Sequence, residues 1–169
     1  MRLFLALVPP PGLRERLGAL ADAAHARCGG RRMPDESLHL TLAFLGEVGD
    51  DLAGKLAEEL RAMRIPAGCW RLDAWGHFRR PGIVWVGSRR ADVALQRLHE
   101  RLWDRLEAHE LAGRPCRFIP HVTLLRRAEC LAAAGLPEVA LKWRYHRVSL
   151  IHSISGGQSV RYTTLAQSA

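Results

Sequence analysis

The apolar positions of the chain fall into short runs whose spacing changes from one stretch to the next. Residues 2–8 are almost continuously apolar and run into three prolines at 9–11, which predicts a buried strand and then a turn. Leu13, Leu17, Leu20 and Ala24 recur at helical spacing, predicting a helix over 12–27 that Gly29 and Gly30 end. Residues 38–45 alternate and read as a strand. Leu52, Leu56, Leu60 and Met63 predict a helix over 50–63, with Asp50 and Asp51 suited to its positive end. Strands are expected over 69–76 and 83–87, separated by the turn-rich loop His77-Phe78-Arg79-Arg80-Pro81-Gly82. Leu95, Leu98, Leu102 and Leu106 mark a helix over 90–109, on which His99 and His109 are expected to face solvent. A strand over 117–125 follows, and residues 143–152 and 159–165 are expected to pair as a hairpin around Ser155-Gly156-Gly157.

This order lacks regular strand–helix–strand alternation, so the fold class is α+β. No linker or low-complexity stretch divides the chain, and 1–169 is expected to form one domain, with two lobes. Its 48% apolar and 25% charged residues match an ordinary globular protein. No apolar run reaches the ~20 residues needed to span a bilayer. The opening run is too short for a secretion signal, so the expected location is cytoplasmic. Cys28, Cys69, Cys116 and Cys130 are irregularly spaced and form no CxxC pair, which argues for free thiols. The net charge of +8 favours an anionic partner such as RNA or a phosphate ester.

Two segments repeat. His39-Leu40-Thr41-Leu42 and His121-Val122-Thr123-Leu124 lie about half a chain apart, each in a strand. On a strand, i and i+2 share a face. His39 and Thr41 therefore project together, and Leu38, Leu40, Leu42 and Phe44 fall on the other, core-facing side. His121 and Thr123 behave likewise, opposite Val122 and Leu124. Packing does not ask for a polar pair on one face of two apolar strands. Side by side, the strands would bring two imidazoles and two hydroxyls into one cleft.

That set suits in-line displacement at phosphorus. One imidazole takes a proton from the attacking water and the other gives one to the leaving ribose oxygen. The threonine hydroxyls can hydrogen-bond the non-bridging oxygens. Arg126 is the candidate for further phosphate binding because of its fork of donors. Plain alternation from His121 turns it to the wrong face unless the strand ends or bulges near it. Tyr162 and Phe44 are candidates for the groove, although Phe44 and Trp85 also read as core. His77, Arg79 and Arg80 read as a solvated basic turn. Other chemistries are poorly represented. His25 and Cys28 lack a second ligand pair, His109-Glu110 has Gly113 where HExxH needs histidine, and no GxSxG is present.

These motifs resemble the two-histidine phosphoesterase superfamily, in particular its RNA 2′,3′-cyclic phosphodiesterase branch, once called 2′-5′ RNA ligases. The resemblance extends to Arg2–Leu7 as the opening strand, to Gly46-Glu47-Val48 after the first motif, to Val84–Gly87, and to Arg161–Leu165 as the closing strand. His152 stands where related sequences often carry an acidic residue. The resemblance implies a bilobal fold with two pseudo-symmetric lobes, two antiparallel sheets facing across a central groove and helices outside. It implies hydrolysis of RNA 2′,3′-cyclic phosphate ends to 2′-phosphates with no metal or other cofactor. His39 would be proton donor and His121 acceptor, and Thr41, Thr123 and Arg126 would hold phosphate. The partner would be RNA or an oligonucleotide with a cyclic end, not a membrane, and the protein a monomer. The alternatives are a 2′-5′ RNA ligase, a phosphodiesterase for small cyclic or 2′-5′ substrates, and an RNA-binding module without turnover.

Overall fold

The computed structural model describes residues 1–130 and 135–169. The described residues form three α-helices and two antiparallel sheets. The strands are β1 (Arg2–Leu7), β2 (Arg31–Arg32), β3 (Leu40–Glu47), β4 (Gly68–Leu72), β5 (Ala74–Phe78), β6 (Ile83–Gly87), β7 (His121–Arg126), β8 (Leu141–Tyr145), β9 (Ser149–Gly156) and β10 (Ser159–Gln167). The helices are α1 (Pro11–Cys28), α2 (Asp50–Ala62) and α3 (Val93–Ala108). The large sheet runs β10-β9-β1-β3-β7-β6-β5, with β2 added against β7. It consists of two arms, β10-β9-β1-β3 and β7-β6-β5, joined through the single pair Leu40–Val122. The second sheet is the ribbon β4–β8.

Each helix forms where its apolar stripe can be buried. Pro11 opens α1 at a position whose N–H would be unsatisfied in any case. Leu13, Leu17, Ala21, Ala24 and Cys28 line its buried side, the last two against Val84 of β6 and Leu125 of β7. Gly29 ends it at φ +62°, in the left-handed region that glycine tolerates, and donates its N–H to the His25 carbonyl at 2.9 Å. The helix predicted over 90–109 begins at Val93 because the Asp92 carboxylate caps it, accepting from the Leu95 N–H at 3.0 Å. Leu56 and Leu60 of α2 and Leu95, Leu98, Leu102 and Trp103 of α3 join Leu3, Leu5, Leu7, Leu40 and Leu42 in one core. Each such leucine contributes about 1.5–3 kcal/mol by leaving water.

Several expectations change. The strand predicted over 69–76 is two strands in different sheets. The break is at Asp73, whose N–H donates to Gly87 O at 2.8 Å and whose Oδ1 accepts from Arg89 N–H at 2.8 Å. The strand predicted over 143–152 divides too: β8 leaves to pair with β4, and only β9 forms the hairpin with β10. The expected strand over 117–125 starts four residues later, at His121. His99 is buried, 4% exposed and stacked on Phe118 at 4.0 Å, so it does not face solvent. His109 bonds Glu59 at 2.8 Å. No described helix is long and apolar enough to cross a membrane.

Candidate active site

A groove of about 980 Å³ runs over the sheet face opposite α1, where the two arms meet. His39, Thr41, His121, Thr123 and Arg126 all line it. Leu40 pairs with Val122 across the seam. Continued antiparallel, that register sets Thr41 across from His121 and Thr123 across from His39. The imidazoles thus occupy one diagonal of a square and the hydroxyls the other.

Both rings are held in the same way. Pro34 and a 3₁₀ turn at Asp35–Ser37 aim the Ser37 carbonyl back at His39, whose Nδ1 donates to it at 2.7 Å. Ile119 stands before Pro120, which favours extended backbone there, and its carbonyl accepts from His121 Nδ1 at 2.7 Å. A carbonyl only accepts, so Nδ1 carries the hydrogen in both rings and Nε2 is the basic atom. His39 Nε2 lies 2.8 Å from Thr41 Oγ1, which donates to it while the ring is neutral.

Aromatic rings flank each imidazole. Phe4 and Tyr162 stand 4.9 and 5.4 Å from His39, and Phe78 and Trp85 stand 5.2 and 5.7 Å from His121, between ring centres. Trp85 lies flat over Gly76, where any Cβ would collide with it, so the glycine gives the indole its bed. Burial pulls the His39 pKa down to about 4, with the positive charges of Arg126 and His121 adding to the fall; the Ser37 carbonyl pulls the other way. His121 is lowered as well, by burial first and then by Arg126, against its bond to Ile119. The protein's own surroundings therefore hold both imidazoles neutral at ordinary pH.

Arg126 reaches the groove because β7 bulges. Val84 pairs with Leu125 and Trp85 with Thr123, leaving Leu124 as the extra residue. Alternation then restarts one residue late and Arg126 turns to the histidine side. Its charge is felt by both imidazoles. Phe44 is moved by the same device. β1 and β3 slip register at Leu42, so Phe44 pairs with Phe4 on the groove face and is 60% exposed; a second slip, at Leu45, lies beyond it. The core position that alternation assigned to Phe44 is thus corrected by the bulge at Leu42. Tyr162 also lines the groove.

His77, Arg79, Arg80 and His152 are not part of the lining. Arg31 is, directly across from Arg126 in the β2–β7 pairing, a residue without a sequence signal because two-residue strands leave none. The Ser37 and Ile119 carbonyls were equally invisible, since any residue supplies a carbonyl. Among the described residues no three His, Cys, Asp or Glu side chains stand together as a metal site would require. Two basic rings aimed by Nε2 at a common space, with hydroxyls and an arginine beside them, can move protons on both sides of an anionic centre.

Comparison with known proteins adds independent findings. A family model described as the 2′-5′ RNA ligase superfamily matches residues 9–157. The RNA 2′,3′-cyclic phosphodiesterase of Escherichia coli K12 is 31% identical over 166 residues, covering 97% of this chain and 93% of that protein. A protein of the same name from Thermus thermophilus is 33% identical over 179 residues, covering 98% and 88%. The crystal structure of E. coli LigT complexed with 3′-AMP matches with a TM-score of 0.83 at 30% identity, over 98% of this chain and 95% of that one.

Proposed function

From the premise that the chain belongs to the 2′-5′ RNA ligase superfamily, we propose that it is an RNA 2′,3′-cyclic phosphodiesterase that opens the cyclic phosphate to a 2′-phosphate without metal. The observation that carries this reading is the matched pair of imidazoles, each clamped at Nδ1 by a carbonyl 2.7 Å away and each presenting Nε2 to one groove. Binding alone has no use for two identically prepared proton carriers.

In the proposed reaction the cyclic phosphate sits over the square of side chains. His121 Nε2 takes a proton from a water that attacks phosphorus opposite the 3′ oxygen. The P–O3′ bond breaks, and O3′ receives the proton carried by His39 Nε2. Thr41 and Thr123 donate to the non-bridging oxygens, and Arg126 faces the charge that builds there. Thr41 can no longer donate to His39 Nε2 when that ring is protonated, which frees the hydroxyl hydrogen for phosphate.

The depressed pKa of His39 constrains the donor role. Burial, Arg126 and His121 all oppose its protonation. A bound phosphate offsets the arginine's charge and places an anion beside Nε2, which raises the pKa again. The acid is therefore armed by its own substrate.

Hydrolysis of adenosine 2′,3′-cyclic phosphate in EDTA tests the reading, with products separated by chromatography. The wild type is expected to give the 2′-phosphate. His39→Ala and His121→Ala are each expected to lose about 10²- to 10⁴-fold in turnover while keeping their circular dichroism. Full activity in both variants, arrest by EDTA, or a 3′-phosphate product would sink it.

A further inference from the structure

The groove is larger than its chemistry needs. About 980 Å³ stands at the upper end of the range for single small-molecule pockets, and the square of catalytic side chains forms only part of its lining. The remainder extends over the β10-β9-β1 arm. There Arg2 shares a cross-strand row with Ser153 and Tyr162. Arg2 lies two residues along β1 from Phe4, the ring against His39, so it stands about 7 Å further out on the same face. Ser155 and Gln158 continue this wall, and Arg161 stands at its rim on the edge strand.

This wall offers hydrogen-bond donors and positive charge. Glu36 is the one carboxylate among the described residues lining the groove, and it belongs to the turn before His39, on another side. Arg2 and Arg161 are both exposed, and neither enters an ion pair among the described residues. Glu47, across from Arg2 in the β1–β3 pairing, bonds the Met1 amino group at 3.3 Å instead. By contrast Arg32, which looks equally available in the sequence, is fully engaged by Asp22, Asp35 and two carbonyls.

Resting on the reading above, we infer that this wall is a subsite for the phosphodiester next to the cyclic end, with Arg2 and Arg161 as its charged contacts. The enzyme then selects oligonucleotides over mononucleotides. An RNA chain continuing from the central nucleotide must carry its next phosphate away from the catalytic square. The β1–β9–β10 wall brings no carboxylate to the lining and begins one residue pair from His39.

The test compares kcat/KM on adenosine 2′,3′-cyclic phosphate with that on a tetranucleotide ending in the same group, for wild type and for the Arg2→Gln/Arg161→Gln double variant. The wild type is expected to prefer the tetranucleotide. The double variant is expected to lose about tenfold on it and nothing on the mononucleotide. The slope of log(kcat/KM) against log salt for the tetranucleotide should become shallower by about 0.7 for each phosphate the variant no longer holds. Equal use of both substrates by the wild type, or an unchanged preference in the variant, overturns the subsite and leaves the phosphodiesterase reading standing. If neither substrate is turned over, that reading fails instead. The subsite is then judged by anisotropy of a labelled tetranucleotide 2′-phosphate, whose affinity the double variant must lower.

Discussion

At the scale of single residues the proton carriers set the pH behaviour. The proposed reaction needs one imidazole charged and one neutral. His39 lies near 4 and His121 below its ordinary value in the free protein, so the singly protonated form is centred below pH 6.5. The profile of kcat/KM should peak on the acid side of 6.5 and fall as pH rises and the donor loses its proton. Arg126→Ala removes a positive charge felt by both rings, and should shift that profile to higher pH while lowering its height. A pH–rate series on both proteins checks this, and an unmoved profile would remove Arg126 from the electrostatics. Thr41→Val keeps shape but deletes the hydroxyl at 2.8 Å from Nε2. It should lower kcat roughly five- to tenfold, in line with the ~1 kcal/mol of one hydrogen bond. These residues were legible in the sequence to the extent that strands alternate: His39, Thr41, His121 and Thr123 lie where the i, i+2 rule puts them. Phe44 and Arg126 lie past bulges, and a bulge depends on which partner strand arrives, something the local sequence does not encode.

At the scale of elements the same distinction recurs. All three helices were readable because an amphipathic helix carries its own period. The β4–β8 ribbon was not, because its strands are more than sixty residues apart and an extended apolar run looks the same in either sheet. What fixes the ribbon is the pair Trp70 and Trp143, directly cross-strand, both essentially inaccessible, with ring centres 5.8 Å apart. The Trp70 indole N–H also donates to Ser88 Oγ at 3.0 Å. Trp143→Ala should therefore cost about 3–5 kcal/mol, measured by denaturant unfolding. A loss under ~1 kcal/mol would mean that the ribbon is peripheral. Both tryptophans lie away from the groove lining, so kcat in the folded variant should stay within a few-fold of wild type.

At the scale of the whole molecule the site exists because two arms meet. Each arm supplies one histidine, one threonine and two flanking aromatic rings, and a single backbone pair joins them at the seam. The sequence repeat announced that each half would carry a motif. It could not announce the width of the space between them, nor the arginine-bearing wall, since both are products of sheet order.

The matched carbonyl clamps carry a consequence for the cycle. Each ring is wired to trade hydrogen at one end only, so in the proposed reaction a completed hydrolysis leaves His121 charged and His39 bare. That is the starting arrangement inverted. Run from there, the same side chains are set to close the ring that they opened, and forward flux requires the pair to be restored between turnovers. With Nδ1 spoken for on both sides, the hydrogen cannot cross through the rings. It must leave and return by way of Nε2, the end of each ring that faces the groove.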